Sequence, residues 1–178
     1  MTDNRRRFEQ DAGPHLDAAY NLARWLTRSG PDAEDIVQDA LLLAYRNFDA
    51  RRGSNVRAWL LAIVRNCFLS ARRRESARPR ATESIDAAQP PPALVTADGP
   101  EQAAMAADGA RTLDEALGRL SPEHREVLVL RELEGLSYRE IAEITESPVG
   151  TVMSRLARAR AALKAGWPTL AGDGHGVP

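Results

Sequence analysis

The chain has 178 residues, 43% of them hydrophobic but only 5% aromatic, which suits one ordinary domain or two small helical ones rather than a broad sheet core. A formal net charge of −1 excludes any general attraction to nucleic acid, so DNA contact has to come from local patches or from a partner's help. One cysteine, Cys67, and three scattered histidines, His15, His124 and His175, exclude a disulfide framework and a metal site, and no run approaches the apolar length of a membrane span.

The opening MTDNRRRFEQD is polar with no apolar segment behind it, so neither a secretion signal nor membrane insertion is expected, and the chain is placed in the cytoplasm. Arg5 to Arg7 read as a solvated tail. A helix is predicted over His15 to Thr27, with Leu16, Ala19, Tyr20, Ala23 and Leu26 on one face. Ser29-Gly30-Pro31 breaks it, and Asp32 starts a second helix that runs through Phe48, with Asp32, Glu34 and Asp35 at its positive end. Ile36, Val37, Ala40, Leu41, Leu42, Leu43, Ala44, Tyr45 and Phe48 wrap most of this helix, more than one buried stripe can use. The surplus, beside Asp35, Gln38 and Asp39, reads either as a protein-docking face or as burial between neighbouring helices.

Arg51-Arg52-Gly53-Ser54-Asn55 introduces a third helix, Val56 to Arg74, with Trp59, Leu60, Ile63, Val64 and Phe68 inside and Cys67 as core packing. From Arg46 to Arg80 there are ten arginines against Asp49 and Glu75, a local charge of +8. With Trp59 and Asn66 inside it, that patch suits a DNA backbone and unstacked bases, although most of the Trp59 ring reads as core. Between Ala77 and Gly109 the periodicity is lost and five of the eleven prolines occur. Ala81 to Ala110 holds five acidic residues and no Lys or Arg, a flexible acidic linker.

After the linker, Ser137 to Lys164 reads as two short helices around a tight turn, a helix-turn-helix aimed at DNA. Ser137 and Glu140 have capping-box spacing, which starts the first helix with Tyr138, Ile141 and Ala142 on its buried face. Ser147 and Pro148 give the same kind of start signal for the second helix. There Val149, Val152, Leu156 and Leu163 are expected to pack inward, leaving Thr151, Ser154, Arg155 and Arg158 to read a major groove. The tail PTLAGDGHGVP is expected to be disordered. No nucleophile elbow, phosphate-binding glycine loop or ligand cluster occurs, so neither enzyme activity nor a cofactor is expected.

DAEDIVQDALLLAYRNFD followed by RAWLLAIVRN, and then LRELEGLSYREIAEITESPVGTVMSRLARARAAL, resemble the extracytoplasmic-function (ECF) sigma factors of bacterial RNA polymerase in both modules and in their order. The resemblance implies an all-α chain of two small domains, a three- to four-helix region 2-like module over 8–75 and a four-helix region 4-like module over 111–167. Residues 76–110 join them and 168–178 trail. It implies docking on the clamp coiled coil of the largest polymerase subunit through Asp35, Gln38, Asp39 and Leu42. It further implies binding and melting of a −10 element through Arg52, Ser54, Asn55, Trp59, Arg65 and Asn66, and reading of a −35 duplex through Thr151, Ser154, Arg155 and Arg158. Core polymerase, promoter DNA and an anti-sigma factor are the implied partners. Met153 stands where many relatives place Arg or Lys, and Gly53-Ser54-Asn55 departs from a more acidic loop, so promoter preference does not transfer. A free-standing operator-binding regulator stays open, while an enzyme with an appended DNA-binding module is disfavoured by the lack of a polar constellation in the first module.

Overall fold

The computed structural model describes residues 2–51, 53–77 and 113–171, with side chains described up to residue 165. The first module has four helices: α1 (Thr2–Ala12), α2 (Leu16–Thr27), α3 (Gly30–Asn47) and α4 (Val56–Ser76). The second has α5 over residues 113–118, α6 (Pro122–Leu128) running into a π turn at Val129–Leu133, α7 (Tyr138–Thr145) and α8 (Val149–Ala171). The linker reading falls almost wholly on residues 78–112, which lie outside the described ones, as do 172–178.

Local chemistry sets most helix boundaries. Arg28 closes α2 in the left-handed conformation, φ 59°, with its N–H donating to the Arg24 carbonyl at 2.9 Å. The helix after it begins at Gly30 rather than Asp32. The Ser29 hydroxyl accepts from the Asp32 N–H at 3.4 Å, so the serine read as part of a breaker is the cap and Pro31 lies in the first turn. Asn55 caps α4, its Oδ1 accepting from the Ala58 N–H at 2.9 Å, and Arg73 and Arg74 sit at the helix's negative end. Between α6 and α7 the chain turns at Gly135, φ +65°, a backbone setting that favours glycine.

Three expectations are corrected. Arg5 to Arg7, read as a solvated tail, lie in a helix, Thr2–Ala12, because Phe8 stands edge-on to Tyr45 and Phe48 with ring centroids 5.4 Å from each and thereby helps anchor it to the end of α3. Ser147 does not cap α8: its hydroxyl donates to the Thr145 carbonyl at 3.1 Å and accepts from Arg155 at 3.3 Å, while Pro148 precedes the first helical residue and its carbonyl accepts from Val152. The last helix runs on to Ala171, into the stretch read as disordered from Pro168, carried by the strong helix formers Ala161-Ala162-Leu163-Lys164-Ala165 before it.

The first module packs Leu22, Leu60, Leu61 and Val64, all fully buried, against Ile36, Ala40 and Ala44 of α3. Cys67 is buried there, as core packing. The second packs Val127, Val129, Leu130, Ile141, Val152 and Leu156. The two cores meet in one continuous cluster, with α2 against α6 and α4 against α7. Arg125, 7% exposed, ties this junction: its guanidinium donates to the carbonyls of Leu117, Gly118 and Leu120 at the end of α5 and to Trp25 of α2. Among the described residues no helix is long and apolar enough to cross a membrane, and no group of His, Cys, Asp and Glu is placed to hold a metal ion.

Candidate polymerase and promoter interfaces

The first face lies on α3. Asp35, Gln38, Asp39 and Leu42 follow at i, i+3, i+4 and i+7, so a 3.6-residue period stacks them, and all four are exposed. Ile36, Ala40 and Ala44 hold the opposite side in the core, which leaves Leu42 at 55% and Leu43 at 43% exposure. The apolar surplus on this helix is therefore largely outward surface. A groove between α3 and α4 runs beside it, lined by Asp35, Asp39, Arg72 and Arg74.

The −10 candidates do not form one cluster. Ser54 is exposed at the head of α4, and Arg52 lies outside the described residues. Trp59 is half-buried beside Phe48, ring centroids 6.3 Å apart, with the Arg51 guanidinium over both rings at 5.1 and 5.8 Å. Most of that indole is spoken for by packing. Asn66 is exposed, but it lines a groove with Leu42, Leu43 and Arg46, next to the α3 stripe.

Asn55 and Arg65 face the second module instead. The Asn55 amide donates to Glu140 at 2.7 Å, and Arg65 donates to Glu126 at 2.6 Å. Arg57, which sequence reasoning passed over, pairs with Glu134 at 2.5 Å on the same side of α4, and Arg28 reaches Asp114 at 3.1 Å. A signal for the central pairs existed: Arg57 and Arg65 are eight residues apart, as are Glu126 and Glu134, and the pairing runs antiparallel. Eight residues of helix span about 12 Å, so two matched ladders of opposite charge meet at both ends.

The carboxylates in this seam are unlike one another. Glu126 and Glu134 are 5% and 6% exposed. Burial pushes the Glu126 carboxyl up, against the pull of the Arg65 charge and its hydrogen bond. Hydrogen bonding to Ser137, first the side chain and then the backbone, holds the Glu140 carboxyl below its ordinary range. This is the expected capping box: Glu140 accepts from the Ser137 N–H at 2.8 Å, and the Ser137 hydroxyl accepts from the Glu140 N–H at 3.2 Å.

The third face is the helix-turn-helix of α7 and α8. Ile141 is fully buried and Tyr138 and Ala142 half-buried, as the spacing predicted. On α8, Val152 and Leu156 are buried and Leu163 half-buried, but Val149, expected inside, is 42% exposed because it stands at the helix's first turn, ahead of the packed stretch. Ser154 and Arg158 are exposed, and Thr151 is half-buried with its carbonyl accepting from the Ser154 hydroxyl at 2.9 Å. Arg155 departs from that group. It is half-buried, donates to the Ser147 hydroxyl, and lines the cleft between the modules with Arg65, Glu123 and Glu126.

Residues 13–78 match the family model described as Sigma-70 region 2, and residues 110–163 match Sigma-70, region 4. The ECF RNA polymerase sigma-E factor of Escherichia coli K12 is 35% identical over 152 residues, 81% of this chain and 79% of its own length. That of Haemophilus influenzae is 35% identical over 147 residues, 78% of this chain and 75% of its own. The ECF sigma factor SigE of Mycolicibacterium smegmatis is 34% identical over 155 residues, 84% of this chain, which spans 57% of that longer protein. Among solved structures, the sigma factor RpoE in complex with the anti-sigma factor NepR from Bartonella quintana is similar with a TM-score of 0.68 and 28% identity, over 90% of this chain and 96% of that one. CnrH in complex with the cytosolic domain of CnrY gives 0.66 and 27%, over 96% and 91%.

Proposed function

The chain belongs to the ECF sigma factors of the sigma-70 family, and from that premise we propose how its three faces divide the work of initiation. Sigma factors are non-enzymatic; this one acts through core RNA polymerase and promoter DNA. The α3 stripe Asp35, Gln38, Asp39 and Leu42 is the polymerase contact, its carboxylates giving register and Leu42 with Leu43 the apolar centre. Ser54, Asn55, Trp59, Arg65 and Asn66, with Arg52, serve the −10 element: the cations hold phosphates while unstacked bases are captured near Trp59. Thr151, Ser154 and Arg158 enter the −35 major groove, joined by Arg155 once the cleft opens. The site of action is the cytoplasm.

One observation carries this division: the polymerase stripe is bare while Asn55 and Arg65 are held by carboxylates of the second module. The arrangement is a closed state, ready to dock but not to bind a −10 element. Polymerase binding separates the modules and fixes their spacing, which turns two weak readers into one selective contact. An anti-sigma factor is the natural holder of the closed form, in line with the complexes in which the two similar structures were solved.

The test is a pull-down with core polymerase and transcription in vitro from a matched promoter. Asp35→Lys with Asp39→Lys is expected to abolish both while leaving the melting temperature within a degree or two, because the positions are solvent-exposed. Promoter-specific binding by the isolated chain at physiological salt, with polymerase adding nothing, favours instead the free-standing regulator.

A further inference from the structure

We propose that Met153 is a specificity-determining residue of the −35 contact and that it reads the C5-methyl group of a thymine; this rests on the assignment of α8 to the promoter major groove. Met153 is 52% exposed, more than any other large apolar side chain described in the second module. An exposed methionine on its own needs no explanation. Its position does.

Residues advance by 100° each around a helix, and Val152, Leu156 and Ala159, all buried, fix the inward side of α8. Met153 then points sideways from that inward side, next to the exposed Ala157 one turn on, in the early turns that a helix-turn-helix inserts into the groove. Val149, one turn earlier and 42% exposed, extends it into a short apolar strip on one flank. Arg158 and Thr151 lie toward the other flank. The recognition surface is thus divided lengthwise into a polar edge and an apolar one.

The major-groove floor offers only one apolar group to match the second edge. Guanine, cytosine and adenine present hydrogen-bond donors and acceptors there, and thymine alone adds a methyl. A thioether is at best a weak acceptor, so Met153 opposite a G·C pair would strip water from polar base atoms and return little. Opposite a thymine it buries two apolar surfaces together. The side chain is unbranched and adapts to the methyl's exact location.

The experiment starts from promoters enriched from a library randomised at the −35 region, using the full chain bound to core polymerase. Each thymine of the enriched element is then replaced by deoxyuridine, which removes only the methyl. At one thymine the wild-type complex is expected to lose about three- to fourfold in affinity, the value of burying a single methyl-sized group. Met153→Ala is expected to bind thymine and deoxyuridine equally at that position. Met153→Lys is expected to do the same and to steepen the salt dependence of binding by about one phosphate contact.

Indifference of the wild-type complex to every deoxyuridine, an enriched element without thymine under α8, or unchanged methyl sensitivity in Met153→Ala each overturns the inference. A complex that selects promoters yet ignores the methyl defeats this inference alone. A complex with no promoter preference defeats the sigma-factor assignment of α8 along with it.

Discussion

Glu140 serves two helices at once. One carboxylate oxygen caps α7 by accepting the Ser137 N–H, and the other accepts from the Asn55 amide, whose own carbonyl oxygen caps α4. Removing it by Glu140→Ala is expected to cost about 1 kcal/mol for the cap, a drop of roughly two to four degrees in a chain of this size. The pH dependence follows from the direction of its shift. A carboxyl held below its ordinary value in the folded chain contributes stability that is present above that value and is lost as pH falls through the folded one. The gap in melting temperature between wild type and Glu140→Ala should therefore be full at pH 7 and shrink on acidification. A gap that widens in acid contradicts the reading. Glu126 has the opposite sign: burial raises its pKa, so protonation favours the packed state and its contribution fades as pH rises through the folded value.

At the scale of elements, α1 is held mainly through Phe8 and Ala12. Phe8 packs onto Tyr45 and Phe48 and Ala12 is fully buried, while Asn4 and Arg7 reach Asp49 and Asp11 reaches Arg51. Phe8→Ala is expected to cost about 2 kcal/mol, less than a fully buried phenylalanine, with hydrogen exchange accelerated across Thr2–Ala12 and little changed in α4. Uniform loss of protection over the whole module would mean that α1 belongs to the core. The sequence made α2, α3, α4 and α7 readable because their signals are local: the Ser29-Gly30-Pro31 break, the Ser137 and Glu140 capping box, and apolar residues at helical spacing. The helix around Arg5 to Arg7 was missed because the partners of Phe8, which holds it, lie about forty residues away at the end of α3. Ser147 and Pro148 misled for a related reason. The cap motif was present, but Thr145 and Arg155 claimed the hydroxyl. The exposed apolar face of α3 was legible as a surplus of apolar residues, whereas the seam left only the matched eight-residue spacings of Arg57 with Arg65 and of Glu126 with Glu134, which no local rule pairs.

The proposed function makes the whole molecule a balance between that seam and the polymerase. Its first module gathers +6 between Arg46 and Glu75, and its second supplies Asp114, Glu126, Glu134 and Glu140 against the arginines and Asn55. Buried charge pairs stabilise only modestly, because desolvation offsets most of the attraction, yet losing one partner is costly. Such a seam fits a closure that a competing surface can undo. Glu126→Lys with Glu134→Lys sets like charges against Arg65 and Arg57 and is expected to open the free chain. The decisive measurement is the distance between fluorescent labels at Asn47 and Ala161, both exposed, in a chain whose buried Cys67 is replaced by alanine. A single short distance is predicted for the free chain, a longer one for the doubly charge-reversed seam, and a longer one again when the unsubstituted seam meets core polymerase. The same short distance in a polymerase complex that is transcribing would contradict the claim that initiation requires the two modules to part.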